Sequence, residues 1–294
     1  MKLARIGAAG LERPVAVTSP SEAVDLSTVV DDLDAATIGR LREIEAAVTA
    51  ADLPVVGLDG VRFGPPLARP GKIVCVGLNY AAHAAETKAA IPAEPVLFMK
   101  APDTVVGPND DVRIPPGSTA TDYEVELAVV IGATARHLTD DADPLAYVAG
   151  YTISNDVSER HFQIERGGQW DKGKNCETFN PLGPVLVTAD EVDPTDLALS
   201  THVNGELRQS ATTADLICNV ADLVRYISRF MTLYPGDVIN TGTPAGVAHG
   251  YPDPKPYLHP GDVVELTIAG IGTQRLTFVA ADAYALPGSA SDRS

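Results

Sequence analysis

The chain has few cysteines, a deficit of positive charge and no long hydrophobic run, and each shortage excludes a class of protein. Three cysteines in 294 residues, Cys75, Cys176 and Cys218, stand far apart with no CxxC among them. Neither a disulfide framework nor a zinc site is readable, and a reducing, cytoplasmic location is expected. Lys and Arg number 22 against 39 Asp and Glu, a net charge of −17. Such a surface repels phosphate backbones and anionic lipid, which argues against nucleic acid and membrane as partners. The longest apolar run, residues 127–133, is interrupted by Gly132 and is far too short to span a bilayer. No apolar stretch of signal-peptide length follows the basic residues near the N-terminus.

What is present describes a globular chain, long enough for one large domain with a small extension. The 25 glycines and 23 prolines are spread along the sequence, which suits short strands joined by turns and excludes an all-helical bundle. Residues 1–66 read as a small N-terminal α+β domain, with strand-like pieces at 2–6 and 14–17. A helix over 37–50 sets Ile38, Leu41, Ile44, Ala47 and Val48 on one stripe. A proline-rich stretch at 64–71 leads into a strand-dominated domain over 67–285, and residues 286–294 read as a disordered tail. Strands are expected at 73–76, 125–131, 149–154, 185–188, 199–203, 237–240, 263–268 and 274–279, with helices at 79–90 and 219–233, the second behind an Asn219 N-cap. The fold class is mainly β with some α.

The sharpest anomaly is the acidic start of an apolar strand. Alternate residues of a strand share a face, so Asp122, Glu124 and Glu126 project together from a segment that becomes wholly apolar after them. Mutually repelling carboxylates either lie in solvent or surround a cation. Asp156 follows an apolar strand and reads in two ways. With Glu159 three residues on it forms a capping-box pattern; joined to Glu124 and Glu126 it completes an all-oxygen site that suits Mg²⁺ or Mn²⁺ better than zinc. His83 and Glu86 are three apart on the 79–90 helix, either a solvent-facing pair or an imidazole oriented by a carboxylate to act as general base. Lys172 and Lys174 follow a glycine-bearing loop, and residues 241–247, TGTPAGV, offer hydroxyls and backbone N–H groups at a strand end.

Taken in order, Glu124-Val125-Glu126, Asn155-Asp156-Val157-Ser158, Gly173-Lys174, Pro181-Leu182-Gly183-Pro184, Pro235-Gly236-Asp237 and Thr241-Gly242-Thr243-Pro244 resemble the fumarylacetoacetate hydrolase family over residues 72–279. The 71–86, 94–100 and 165–174 segments look like its branch acting on 2,4-diketo-3-deoxy sugar acids. The resemblance implies a mixed β-sandwich roll, usually paired as a homodimer. It further implies that Glu124, Glu126 and Asp156 hold Mg²⁺ or Mn²⁺ and that His83 with Glu86 activates water. Lys174, Arg160, Gln163 and Thr243 would contact a small anionic 2-oxo acid, with Lys174 stabilising the enolate. Asn175 and Glu177 depart from residues common in the family and leave the substrate open. The reaction implied is metal-dependent hydrolysis of a C–C bond in an acylpyruvate-type 2,4-dioxo acid, releasing pyruvate. Three other readings stand beside it: an oxaloacetate decarboxylase, a 2-hydroxy-dienoate isomerase, and a catalytically retired metal-binding protein.

Overall fold

The computed structural model of the chain describes residues 1–50 and 52–281, so the expectation of a disordered 286–294 tail falls outside the described residues. Two sheets form a mixed β-sandwich. The larger has the strand order Val55–Gly57, Glu22–Asp25, Arg13–Ser19, Lys2–Ile6, Asn180–Thr188, Val148–Asn155, Val125–Ile131, Val238–Asn240, Ile73–Gly77, Val96–Lys100. The smaller runs Glu206–Thr212, Ala198–Val203, Val263–Ile268, Gly272–Ala280, Val112–Ile114.

Val125–Ile131 lies at the centre and is buried along its whole length, which explains its unbroken apolar sequence. Val125, Leu127, Val129 and Ile131 share a core with Leu199, Leu266 and Phe278 of the second sheet and with Leu223 and Ile227 of the Val220–Ser228 helix. Ala128 and Val130 point the other way, into a core with Leu3, Ile38, Ile44 and Ile73. The strands of residues 1–66 extend the same large sheet, because Lys2–Ile6 pairs antiparallel with Asn180–Thr188. Arg62 adds a tie between the two regions, bonded to Asp110 at 2.6 Å and to Glu12 at 2.8 Å.

The helices are shorter than the periodicity predicts. The expected 37–50 helix is divided at Gly39 and Arg40 into Ala35–Ile38 and Leu41–Ala50, although Ile38 and Ile44 still face the core. The expected 79–90 helix is confined to Ala81–Glu86, because Leu78 (φ 57°) and Lys88 (φ 58°) adopt left-handed backbone on either side. The Asn219 cap forms as expected, its side chain accepting from Asp222 N–H at 3.0 Å.

Candidate active site

Strand direction gathers the site. Ile73–Gly77 and Val238–Asn240 are parallel neighbours and run out at one edge of the large sheet. Val125–Ile131, antiparallel to Val238–Asn240, begins at that edge, and Val148–Asn155 ends there beside it. Asn79 pins the turns together. Its amide donates to Thr241 O at 2.8 Å and to Cys218 O at 3.0 Å, and its oxygen accepts from Cys218 N–H at 2.8 Å.

Glu126 continues the face of Ala128 and Val130, so that face turns from apolar to acidic where the strand starts. Glu124 donates its N–H to Asn155 Oδ1 at 3.0 Å, and its carbonyl accepts the N–H of Asp156 at 3.0 Å, which sets Asp156 beside it. Glu124, Glu126 and Asp156 are all buried, with candidate ligand oxygens within 4.8 Å of one another. No helix opens at Asp156. The chain instead forms the short Ser158–Glu159 strand, so the capping-box reading does not hold and the Asp156 carboxylate is left for the site.

Cations surround the triad unevenly. Lys174 Nζ donates to Glu124 Oε2 at 2.7 Å and to Asp156 Oδ2 at 2.9 Å. Lys100 Nζ reaches Asp156 Oδ1 and donates to Val157 O at 2.9 Å. Arg160 donates to Glu124 Oε1 at 2.7 Å, Asp122 Oδ2 at 2.8 Å and Gln163 Oε1 at 3.0 Å. Burial would raise the Glu124 carboxyl, yet Lys174 and then Arg160 outweigh it and hold the group down at about 2. Glu126 goes the other way. Burial, then repulsion from Asp156 and Glu124, pushes it well above the ordinary carboxylate value. Among the described residues no Lys or Arg pairs with Glu126, and its Oε2 accepts only the Gly242 N–H, at 2.8 Å. Three buried oxygen donors with one carboxylate short of positive charge fit a hard divalent cation.

Asp122 does not project with Glu124 and Glu126. Its Thr121–Asp122 strand pairs with Ser158–Glu159 in a separate ladder, so the alternation breaks at Tyr123. Its carboxylate instead clamps the backbone N–H groups of Ala248 at 2.8 Å and His249 at 3.0 Å together with Arg160.

His83 and Glu86 meet as their spacing requires, Nδ1 to Oε1 at 2.8 Å. Glu86 Oε2 accepts the N–H of Gly246 at 2.8 Å, which fixes the carboxylate from behind. Gly246 is at φ 108° and a Cβ there would lie 1.9 Å from Arg208 O, so no other residue brings that N–H so close.

A cavity of about 300 Å³ opens over these groups. His83, Glu124, Glu126, Arg160, Gln163, Lys174 and Thr243 line it, while Glu86 and Asp156 stand behind His83 and Lys174. The Thr243 hydroxyl donates to Val125 O at 3.0 Å and accepts from Gln209 at 2.8 Å, so its proton already has a partner within the protein. Apolar lining comes from Leu78, Phe98, Ile164 and Trp170. Trp170 packs edge-on to Phe98, centroids 5.5 Å apart, and over Gly77, where a Cβ would come within 2.5 Å of the indole.

Lys100, the Asp122 clamp, Trp170 and His249 are site residues that motif spacing alone misses. For Lys100 a signal existed: in Val96–Lys100 the buried positions are Phe98 and Lys100, a lysine closing the inward face of an apolar strand.

Comparison with known proteins agrees with this geometry. Residues 72–279 match the profile of the fumarylacetoacetate (FAA) hydrolase C-terminal family. A 2,4-didehydro-3-deoxy-L-rhamnonate hydrolase of Sphingomonas sp. (strain SKA58) is 49% identical over 276 residues, covering 94% of this chain and 95% of that protein. The solved fumarylacetoacetate hydrolase of Exiguobacterium antarcticum is 40% identical with a TM-score of 0.83, covering 95% of this chain and 99% of that one. Maleylpyruvate hydrolase from Sphingobium sp. SYK-6, solved with manganese (II) ion and pyruvate, is 30% identical with a TM-score of 0.79 and the same coverage of 95% and 99%. Extensive identity over nearly the full length, a two-sheet roll of the same shape and a buried carboxylate triad at its sheet edge lead to one assignment: the chain is an enzyme that belongs to the fumarylacetoacetate hydrolase family.

Proposed function

We propose that the enzyme hydrolyses the C3–C4 bond of 2,4-dioxo acids and releases pyruvate, with a divalent cation, Mg²⁺ or Mn²⁺, held by Glu124, Glu126 and Asp156. The carrying observation is the convergence of that triad, the His83–Glu86 pair and Lys174 on one cavity. When bound, the cation supplies Lewis-acid polarisation and a template for the substrate's carboxylate and 2-oxo oxygens.

The protein's own groups do the rest. Glu86 accepts the Nδ1 proton of His83, which leaves the Nε2 lone pair to take a proton from water. The hydroxide adds at C4, the C3–C4 bond breaks to leave the acid R–COOH, and its electron pair becomes a pyruvate enolate, which gains at C3 the proton that His83 took from water. Lys174, buried and held cationic by Asp156 and Glu124 against the penalty of burial, stabilises that developing charge more than it stabilises the neutral ketone. Arg160 and Gln163 have N–H groups left over to bind the carboxylate end. The similarity to a sugar-acid hydrolase and to a maleylpyruvate hydrolase supports substrates of the form R–CO–CH₂–CO–COOH. We also propose, from the family resemblance, that the enzyme pairs as a homodimer.

Chelator-treated protein, offered a panel of 2,4-dioxo acids with and without added Mg²⁺ or Mn²⁺, is expected to release pyruvate only with metal. Absence of pyruvate from every member of the panel refutes the hydrolytic reading. Full turnover in protein shown metal-free by elemental analysis refutes the metal requirement.

A further inference from the structure

The cavity contains a second imidazole, His249, that the acid–base chemistry does not use. It sits in the short turn Ala248–Gly250 beyond the Thr241–Val247 loop, and the protein fixes it on three sides. Its N–H donates to Asp122 at 3.0 Å, its carbonyl accepts from Lys255 Nζ, and its Nδ1 lies 3.0 Å from the Tyr257 hydroxyl. Lys255 is itself held by Tyr251 O at 2.9 Å.

The two cavity histidines differ in what stands behind them. His83 faces a carboxylate, Glu86, which orients its ring. His249 faces a phenol, and burial, then the charges of Arg160 and Lys255, hold it below the ordinary imidazole value against the pull of Asp122. Tyr257 is pushed up to about 12 by burial and then by Asp122, so phenol and imidazole are both neutral near pH 7. The tautomer in which the phenol donates to Nδ1 leaves Nε2–H as a neutral donor on a ring that lines the cavity. The same cavity also has an apolar part to its lining, from Leu78, Phe98, Ile164 and Trp170.

We propose that His249 determines specificity by hydrogen-bonding a hydroxyl group on the acyl portion of the substrate, an inference that rests on the 2,4-dioxo-acid reading of this site. The cationic groups Lys174 and Arg160 serve the anionic end. A neutral ring nitrogen matches a hydroxyl, which can accept from Nε2–H. An alkyl group in the same place would displace water and leave the donor unpaired, the arrangement by which sites built for a hydroxyl reject analogues lacking it.

The test compares two substrates that differ by one hydroxyl, 5-hydroxy-2,4-dioxohexanoate and 2,4-dioxohexanoate, in wild type, His249→Phe, His249→Gln and Tyr257→Phe, with Mg²⁺ present. Wild type is expected to favour the hydroxylated acid in kcat/KM. In His249→Phe that ratio should fall on the order of tenfold, His249→Gln should retain part of it through its amide, and Tyr257→Phe should lower it by freeing the ring. Equal kcat/KM for the two acids in wild type, or an equal loss on both in His249→Phe, overturns the role of His249 while leaving the hydrolase reading intact. Cleavage of neither acid by wild type overturns that reading itself, and this inference with it.

Discussion

Glu126→Gln should stabilise the protein in the absence of metal while destroying its activity. The substitution keeps size and shape, and the new amide oxygen can still accept the Gly242 N–H. What it removes is a buried negative charge within 4.8 Å of candidate ligand oxygens of two others. At an effective dielectric of about 20, each such repulsion is worth roughly 3 kcal/mol. Attraction from Lys174 offsets about one of the two, and the Gly242 hydrogen bond returns about 1 kcal/mol to the charged form. Burial of the charge, the first cause of its raised value, adds to these terms, so the gain is at least about 2 kcal/mol, or roughly 4 °C in Tm for a domain of this size. The sign depends on pH in a defined way. Glu126 is raised in the folded state, so its contribution is fully present below the unfolded carboxylate value near 4.5 and is lost as pH rises toward the folded value. The advantage of the variant should therefore be absent at pH 4 and grow above it. The assay is thermal unfolding in chelator across pH 4–8, repeated with Mg²⁺, where wild type should recover stability and the variant should recover much less. A variant less stable than wild type at pH 8 in chelator, or an equal response to Mg²⁺, would refute the electrostatic argument.

Two further outcomes follow from the same geometry and a third from the family resemblance. His83→Ala should lose acylpyruvate cleavage by roughly 10² or more with little change in Mg²⁺ affinity measured by calorimetry. Glu86→Ala should move in the same direction, and the double variant should be scarcely worse than the worse single one; near wild-type cleavage in His83→Ala would reassign the base. Lys174→Met should cost about 3–5 kcal/mol in metal-free urea unfolding, because Glu124 and Asp156 both lose a buried partner, and an unchanged midpoint would show that Lys100 and Arg160 suffice. Sedimentation at micromolar concentration is expected to show a dimer, and a monomer with full turnover would remove pairing from the account.

Much of the site was legible because strand geometry is local. Glu124 and Glu126 share a face by period two, His83 and Glu86 share one by helical spacing, and both pairs meet as that arithmetic requires. The central strand at 125–131 was readable for the same reason: burial on both sides demands an unbroken apolar run. Less legible were features decided by distant chain. Asp122 keeps the same parity as Glu124, yet pairing with Ser158–Glu159 turns it away to hold the Ala248–His249 turn. The strand Glu206–Thr212, ELRQSAT, lies at the edge of the smaller sheet with a mostly polar sequence, so no apolar alternation marks it. Helix lengths were overestimated because periodicity says which residues face inward but not where left-handed residues such as Leu78 and Lys88 stop the turns.

The aromatic pair over Gly77 has a use beyond packing. Trp170 is the sole tryptophan of the sequence, and it lines the cavity against Phe98. Its emission therefore comes from one known position, free of background from other indoles, and changes when a ligand alters the polarity or motion around the ring. Excitation near 295 nm would then follow filling and emptying of the cavity in real time in the unlabelled enzyme, so that binding of a non-cleavable 2-oxo acid can be timed separately from pyruvate release.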